Sequence, residues 1–314
     1  MVTKLKKIQS LGEGIGTRSG INKFLWGGSQ IYQEIFVRNI SRNVFDYNSE
    51  HILSKDFDVL LLLDACRPDT LDEVVSEYEF LEQAPIETYV SIAGDSTQWL
   101  QRTITPEYDF SNSAYITGNP HSDIAVESHN FDIYDEVWKY AWDDQLGTIP
   151  PRPLTERAID TWRTDSPNQM IVHYMQPHFP SITHPELGSS IDLDRIGKAW
   201  EGNIWDKLRD GLVEKDEVWE AYLGNLRYVL DDVEILLDNL DANKVVLSAD
   251  HANAFGERGY YGHGDFRVPS VRRVPWVSVD ATDNKTHQPE LARTDNVVSE
   301  EEVSTRLESL GYLD

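Results

Sequence analysis

Little in this chain is basic, and almost none of it is cysteine. Eleven lysines and 17 arginines stand against 54 acidic residues in 314 positions, a formal charge of −26. A single cysteine, Cys66, excludes both a disulfide scaffold and a thiolate zinc cage. The shortage of positive charge argues against a nucleic-acid partner, because such a field repels a phosphate backbone. No run of about 20 apolar residues exists, so no transmembrane segment is expected. Lys4, Lys6 and Lys7 lead into polar, Gly-rich sequence rather than an apolar stretch, so no secretory signal is expected and a cytoplasmic protein is.

What is present is enough to fold. Hydrophobic residues make up 40% of the chain, and 9 Trp, 14 Tyr and 10 Phe can fill a core, unlike a disordered acidic chain. The acids are spread along the sequence rather than gathered in a tail. Asp-rich, Lys-poor composition fits a halophile, because concentrated salt shortens the Debye length to about 3 Å and removes most self-repulsion.

One stretch departs from the acidic trend. Residues 1–55 hold eight Lys or Arg and four acids, and Phe24-Leu25-Trp26, Ile31-Tyr32, Ile35-Phe36-Val37 and Ile40 follow helical spacing. A basic amphipathic segment docked on a body of residues 56–314 is expected. Its alternative is peripheral contact with an anionic membrane surface through residues 1–45.

From residue 57 the pattern is α/β. Phe57–Leu63 is a short continuous apolar run, as a strand buried on both faces requires. A helix over Arg67–Tyr78 enters through Pro68. Further strands are expected at Thr88–Ile92, Ser113–Thr117, Gln169–Met175, Lys244–Ser248 and Pro275–Val279, with helices at Thr97–Thr103, Val218–Leu240 and from Ser299 to Gly311. Residues 120–168 and 180–217 read as loop and helix excursions. Strands alternating with helices predict a mostly parallel central sheet with helices on both faces.

In such a sheet, ligands gather at the carboxyl ends of the strands. The first strand ends in Asp64-Ala65-Cys66-Arg67-Pro68-Asp69, and the second runs into Gly94-Asp95-Ser96-Thr97. The Gln169–Met175 strand leads to Gln176-Pro177-His178-Phe179-Pro180, and Lys244–Ser248 to Asp250-His251, with Gly262-His263-Gly264 beyond. A carboxylate beside an imidazole at a strand end can reach one divalent ion. Asp64 alone could equally cap a helix, and Asp95 with Gln98 resembles a capping box that merely starts one.

In this order the segments resemble the sulfatase/alkaline-phosphatase superfamily, and above all sulfatase-like proteins of halophilic archaea. The carrying pieces are Asp58–Asp69, His173–Pro180, Val245–His251 running on through Phe255-Gly256-Glu257 to Tyr261–Gly264, and Arg272–Trp276. The resemblance implies an alkaline-phosphatase-like fold and a divalent metal (Mn, Mg, Ca or Zn) on Asp64, Asp250 and His251. It also implies a nucleophile in the loop after the second strand, Ser96 first and Thr97 second. His178 and His263 then bind substrate or transfer protons, and Arg67 clamps a substrate oxygen or pairs with a carboxylate of the fold. The implied substrate is an anionic phosphate or sulfate ester, glycan-linked esters included.

Two departures shift the expectation. Type I sulfatases carry Cys/Ser-x-Pro-x-Arg at the nucleophile, whereas Ser96-Thr97-Gln98-Trp99-Leu100 has neither Pro nor Arg. Ala65 stands where sulfatases usually show a second acid. Both favour an unmodified Ser/Thr nucleophile in a metal-dependent hydrolase or phosphotransferase. The competing expectation is an inactive member of the fold that binds an anionic glycan or a protein partner.

Overall fold

The computed structural model describes residues 49, 51–126, 130–188, 203–294 and 298–311. The basic segment expected at residues 1–55, with its amphipathic helix, lies outside the described residues except for Ser49 and His51–Lys55. The compact unit formed by residues 48–264 and 269–314 is the one described below.

Nine strands are used here: β1 Val59–Leu63, β2 Glu87–Val90, β3 Ser113–Thr117, β4 Ile133–Glu136, β5 Gln169–Tyr174, β6 Ala242–Ser248, β7 Ala254–Phe255, β8 Tyr261–Gly262 and β9 Arg273–Ala281. Seven form one sheet in the order β2-β9-β6-β1-β5-β3-β4, and β7 pairs with β8 alone. β1 runs parallel to both β5 and β6, and β3 parallel to β4 and β5. Only β9 is reversed, antiparallel to β6 and to β2. The mostly parallel α/β class follows.

β1 lies in the middle, and its five side chains are fully buried. Each contributes about 1.5–3 kcal/mol of apolar burial. This is why its sequence is an unbroken apolar run with no polar alternation.

Five helices matter below: α1 Pro68–Val74, α2 Ser96–Thr103, α3 Pro151–Asp165, α4 Lys215–Leu237 and α5 Glu300–Ser309. α4 buries Val218, Tyr222, Leu226, Val229, Val233 and Leu236 along one stripe, at spacings of three and four. Its N-terminal half joins an aromatic cluster with Phe179, Trp205 and Phe255, while the remainder packs into the main core. α5 begins with a capping box between Ser299 and Glu302.

The expected elements occur with shifted ends. The first helix stops at Val74 and gives way to a 3-10 turn over Val75–Glu77, rather than running to Tyr78. Three strands were not expected, the short β7–β8 pair and β4, which lies in the supposed excursion of residues 120–168 and closes the edge of the main sheet beside β3. The β4 sequence, Ile-Tyr-Asp-Glu, turns polar after two residues and gives no apolar run to read.

Candidate active site

The carboxyl ends of β1, β2, β3, β5 and β6 deliver one polar cluster. Asp64 follows β1, Asp250 and His251 follow β6, and all three are fully buried. His251 Nε2 lies 3.5 Å from Asp64 Oδ1 and 3.5 Å from Asp250 Oδ2. His251, expected from sequence as a ligand beside Asp64 and Asp250, therefore stands close to both acids.

A second imidazole joins them. His173, within β5 and opposite Leu62 of β1, puts Nε2 3.9 Å from Asp64 Oδ2 and 3.8 Å from Asp250 Oδ2. Ligand atoms of Asp64, His173 and Asp250 all lie within 4.8 Å of one another. Asp64 Oδ1, Asp250 Oδ2 and His173 Nε2 are buried and have no hydrogen-bond partner. Such atoms are costly to bury unless a cation or proton satisfies them, so the residues present fit a divalent ion. His173 carries no ligand signal in the sequence, because an imidazole inside a Met-Ile-Val-His-Tyr strand reads as core.

The electrostatics follow from crowding two carboxylates in a dry site. Burial, and then the neighbouring Asp250 charge, push the Asp64 carboxyl well above its ordinary value. Burial works upward on Asp250 too, but the adjacent His251 and His173 imidazoles hold it below the usual carboxylate value. Burial lowers His173 and His178 to about 4, which keeps both rings neutral near pH 7.

Each acid is braced. Asp250 Oδ1 accepts from the amides of Ala65 (3.2 Å) and His251 (2.9 Å), which leaves Oδ2 toward the imidazoles. Asp64 Oδ2 accepts from Asn119 Nδ2 at 2.8 Å. Asn119 lies in the loop after β3, and its Oδ1 accepts from the His121 amide. Neither Asn119 nor His121 was singled out in the sequence, although the strand-end rule applied to β3 points at them.

The two candidate hydroxyls part company at the start of α2. Asp95 caps this helix by accepting from the Gln98 amide at 2.8 Å. Ser96, the first helical residue, is buried, with Oγ 3.3 Å from Asp64 Oδ2 and 3.4 Å from His251 Nε2. Thr97 Oγ1 instead meets His121 Nδ1 at 2.8 Å. Gly94 allows the loop to close against the β8 side, since a Cβ there would strike the Gly264 carbonyl, and Gly264 donates its amide to Gly94 O at 2.8 Å.

His178 and His263 come together beside the cluster. Their ring centroids are 5.0 Å apart, and His263 lies 4.6 Å from the His251 ring. His178 is buried between two prolines, both in cis peptide bonds, and α4 anchors its loop: Asn225 donates to the carbonyls of His178 and Pro180. His263 is half-buried, and desolvation together with the charges of His251 and His178 lowers it well below its ordinary value.

Arg67 faces inward to the fold. It forms a two-pronged bond to Asp69, reaches Glu257 at 3.0 Å and donates to the Asn253 carbonyl. Of its two expected roles, carboxylate pairing is the one seen. Cys66 is buried, and desolvation pushes its thiol upward, so it is no reactive thiolate.

A scan against models of known protein families finds no match, and a search of curated protein sequences finds none either. Solved structures do resemble the chain. The soluble domain of lipooligosaccharide phosphoethanolamine transferase A from Neisseria meningitidis matches at 13% identity and a TM-score of 0.47, covering 73% of this chain and 77% of that one. A sulfatase-designated protein from Bacteroides thetaiotaomicron matches at 12% identity and 0.44, covering 82% and 71%. Phosphonate monoester hydrolase of Agrobacterium radiobacter matches at 15% and 0.41, covering 72% and 68%.

Proposed function

We propose that this chain is a metal-dependent hydrolase or transferase of phosphate or sulfate esters that uses Ser96 as its nucleophile. The observation that carries the reading is the position of Ser96 Oγ, at a helix N-terminus and 3.3–3.4 Å from both Asp64 Oδ2 and His251 Nε2. Both neighbours can accept the hydroxyl proton. His251 Nδ1 faces the Ala252 carbonyl at 3.2 Å, an oxygen that only accepts, so the ring proton sits on Nδ1 and Nε2 is a bare acceptor.

Asp64, Asp250 and His173 would hold the metal, which leaves the His251 Nε2 lone pair for the Ser96 proton, and an imidazole among the ligands favours Zn or Mn over Ca or Mg. When bound, a divalent ion lowers the cost of ionising a hydroxyl and neutralises charge on an ester oxygen. The chain's own share is the start of α2. Its free backbone amides and about half a positive charge receive an anionic ester in a protein that otherwise repels anions. His178 and His263 flank the same place and orient the substrate. The acidic excess we assign to solvation in concentrated salt, supported by the scarcity of lysine and the even spread of acids.

The test is an assay in concentrated KCl with Zn, Mn, Mg or Ca on phosphate monoester, phosphate diester and sulfate ester substrates, comparing the parent with Ser96→Ala. Turnover that needs metal and vanishes in Ser96→Ala is expected. Metal-dependent turnover that survives the substitution removes Ser96 from the mechanism. No turnover on any ester in any metal favours the anion-binding alternative.

A further inference from the structure

We infer that Asn253 is a positioning residue that holds the neutral His263 ring with its proton on Nδ1, so that the lone pair lies on Nε2. His263 Nδ1 is 2.8 Å from Asn253 Oδ1, and an amide oxygen only accepts. The facing of the Asn253 amide therefore decides the tautomer. Three bonds fix it.

Tyr222, buried on α4, donates its hydroxyl hydrogen to the Ala65 carbonyl. A carbonyl cannot donate, so the Tyr222 oxygen is left to accept, and Asn253 Nδ2 stands 3.5 Å from it. The amide NH2 is thereby directed to Tyr222 and the amide oxygen to His263. Arg67 donates to the Asn253 backbone carbonyl and is itself clamped by Asp69 and Glu257, which steadies the loop carrying the amide.

The relay reaches the acids. Ala65 adopts φ 65°, a left-handed conformation uncommon for a residue with a Cβ, and in it donates its amide to Asp250 Oδ1. Every bond from His263 through Asn253, Tyr222 and Ala65 to Asp250 thus has one direction. Reversing the first would leave two acceptors or two donors face to face further along.

The consequence concerns the proton role expected of His263 from sequence. Held this way, the neutral ring is an acceptor at Nε2 and cannot protonate a leaving oxygen until it has gained a proton. Its catalytic meaning rests on the ester-cleaving reading of the site, whereas the tautomer does not.

The test is long-range proton–nitrogen NMR on the full chain labelled at histidine, in chelator at about pH 8, where a ring of ordinary pKa is neutral. The His263 signals are assigned by their loss in His263→Gln. Protonated Nδ1 and bare Nε2 are expected in the parent and in Asn253→Asp, which keeps an acceptor. In Asn253→Leu the proton moves to Nε2. A parent ring protonated at Nε2 overturns the inference, and so does an Asn253→Leu ring that keeps its proton on Nδ1. If the leucine variant fails to fold, the parent and Asn253→Asp spectra still decide. In the ester assay, Asn253→Leu is expected to lose tenfold or more in kcat with KM within twofold, and Asn253→Asp to recover most of the loss. An inactive parent with the expected tautomer would remove the ester-cleaving reading and leave this one standing.

Discussion

Thr97 Oγ1 lies 2.8 Å from His121 Nδ1, a bond that holds its hydroxyl beside a different imidazole from the one that faces Ser96. The two neighbouring hydroxyls of one helix start are thus sorted by their partners. Ser96→Ala should cut kcat by about 10³-fold or more, as loss of a nucleophile does. Thr97→Val should cost about 1 kcal/mol of stability for a buried hydrogen bond and less than about tenfold in kcat. Denaturant unfolding and steady-state kinetics on both variants check the division.

Metal should stabilise the fold, and more so at higher pH. Asp64 carries a raised pKa, so the ion displaces a proton from the site, and proton release makes affinity rise with pH. Zn or Mn at 100 times its dissociation constant should add about 2.7 kcal/mol to the unfolding free energy, and chelator should remove it. Calorimetry near pH 6 and pH 8 measures both effects. Weaker binding at pH 8 than at pH 6 would contradict the assignment of Asp64.

Acid should destabilise the metal-free protein through its buried imidazoles. His121 is lowered to about 3, chiefly by burial. Below the unfolded value of about 6.5 the unfolded chain binds a proton that the native ring refuses. Its contribution to stability therefore falls as pH drops from about 6.5 toward 3, by about 1.4 kcal/mol per pH unit. His121→Gln should flatten the stability–pH curve by about one proton over that window, read from denaturation midpoints at several pH values.

Salt should stabilise the parent strongly. With a formal charge of −26, self-repulsion at low ionic strength opposes the compact state. Raising KCl from about 0.2 M to about 3 M shortens screening to about 3 Å or below and should raise the thermal midpoint throughout the range. A midpoint that is flat or falls would detach the composition from life in salt.

How much of this was legible in the sequence follows from how each residue is presented. Asp64, Asp250 and His251 stand just past apolar runs, where a polar residue is conspicuous and the strand-end rule gives it a place. Ser96 was expected only through the family resemblance, its helix cap pointing to a mere helix start, and its separation from Thr97 was not expected, because His121 lies 24 residues away in chain and shows no pattern of its own. His173 was hidden by its setting in a core strand. Asn119, Tyr222 and Asn253 act through contacts 55, 157 and 10 residues apart, which no local periodicity records. β4 was missed because a short edge strand needs few apolar residues.

The most direct test of the account is mass spectrometry of the protein quenched during turnover of a phosphate or sulfate ester with metal present. A phosphoryl, substituted phosphoryl or sulfuryl group on the peptide containing Ser96, localised to that side chain and missing from Ser96→Ala, is expected. An adduct on Thr97, or full turnover in Ser96→Ala, would contradict the Ser96 assignment.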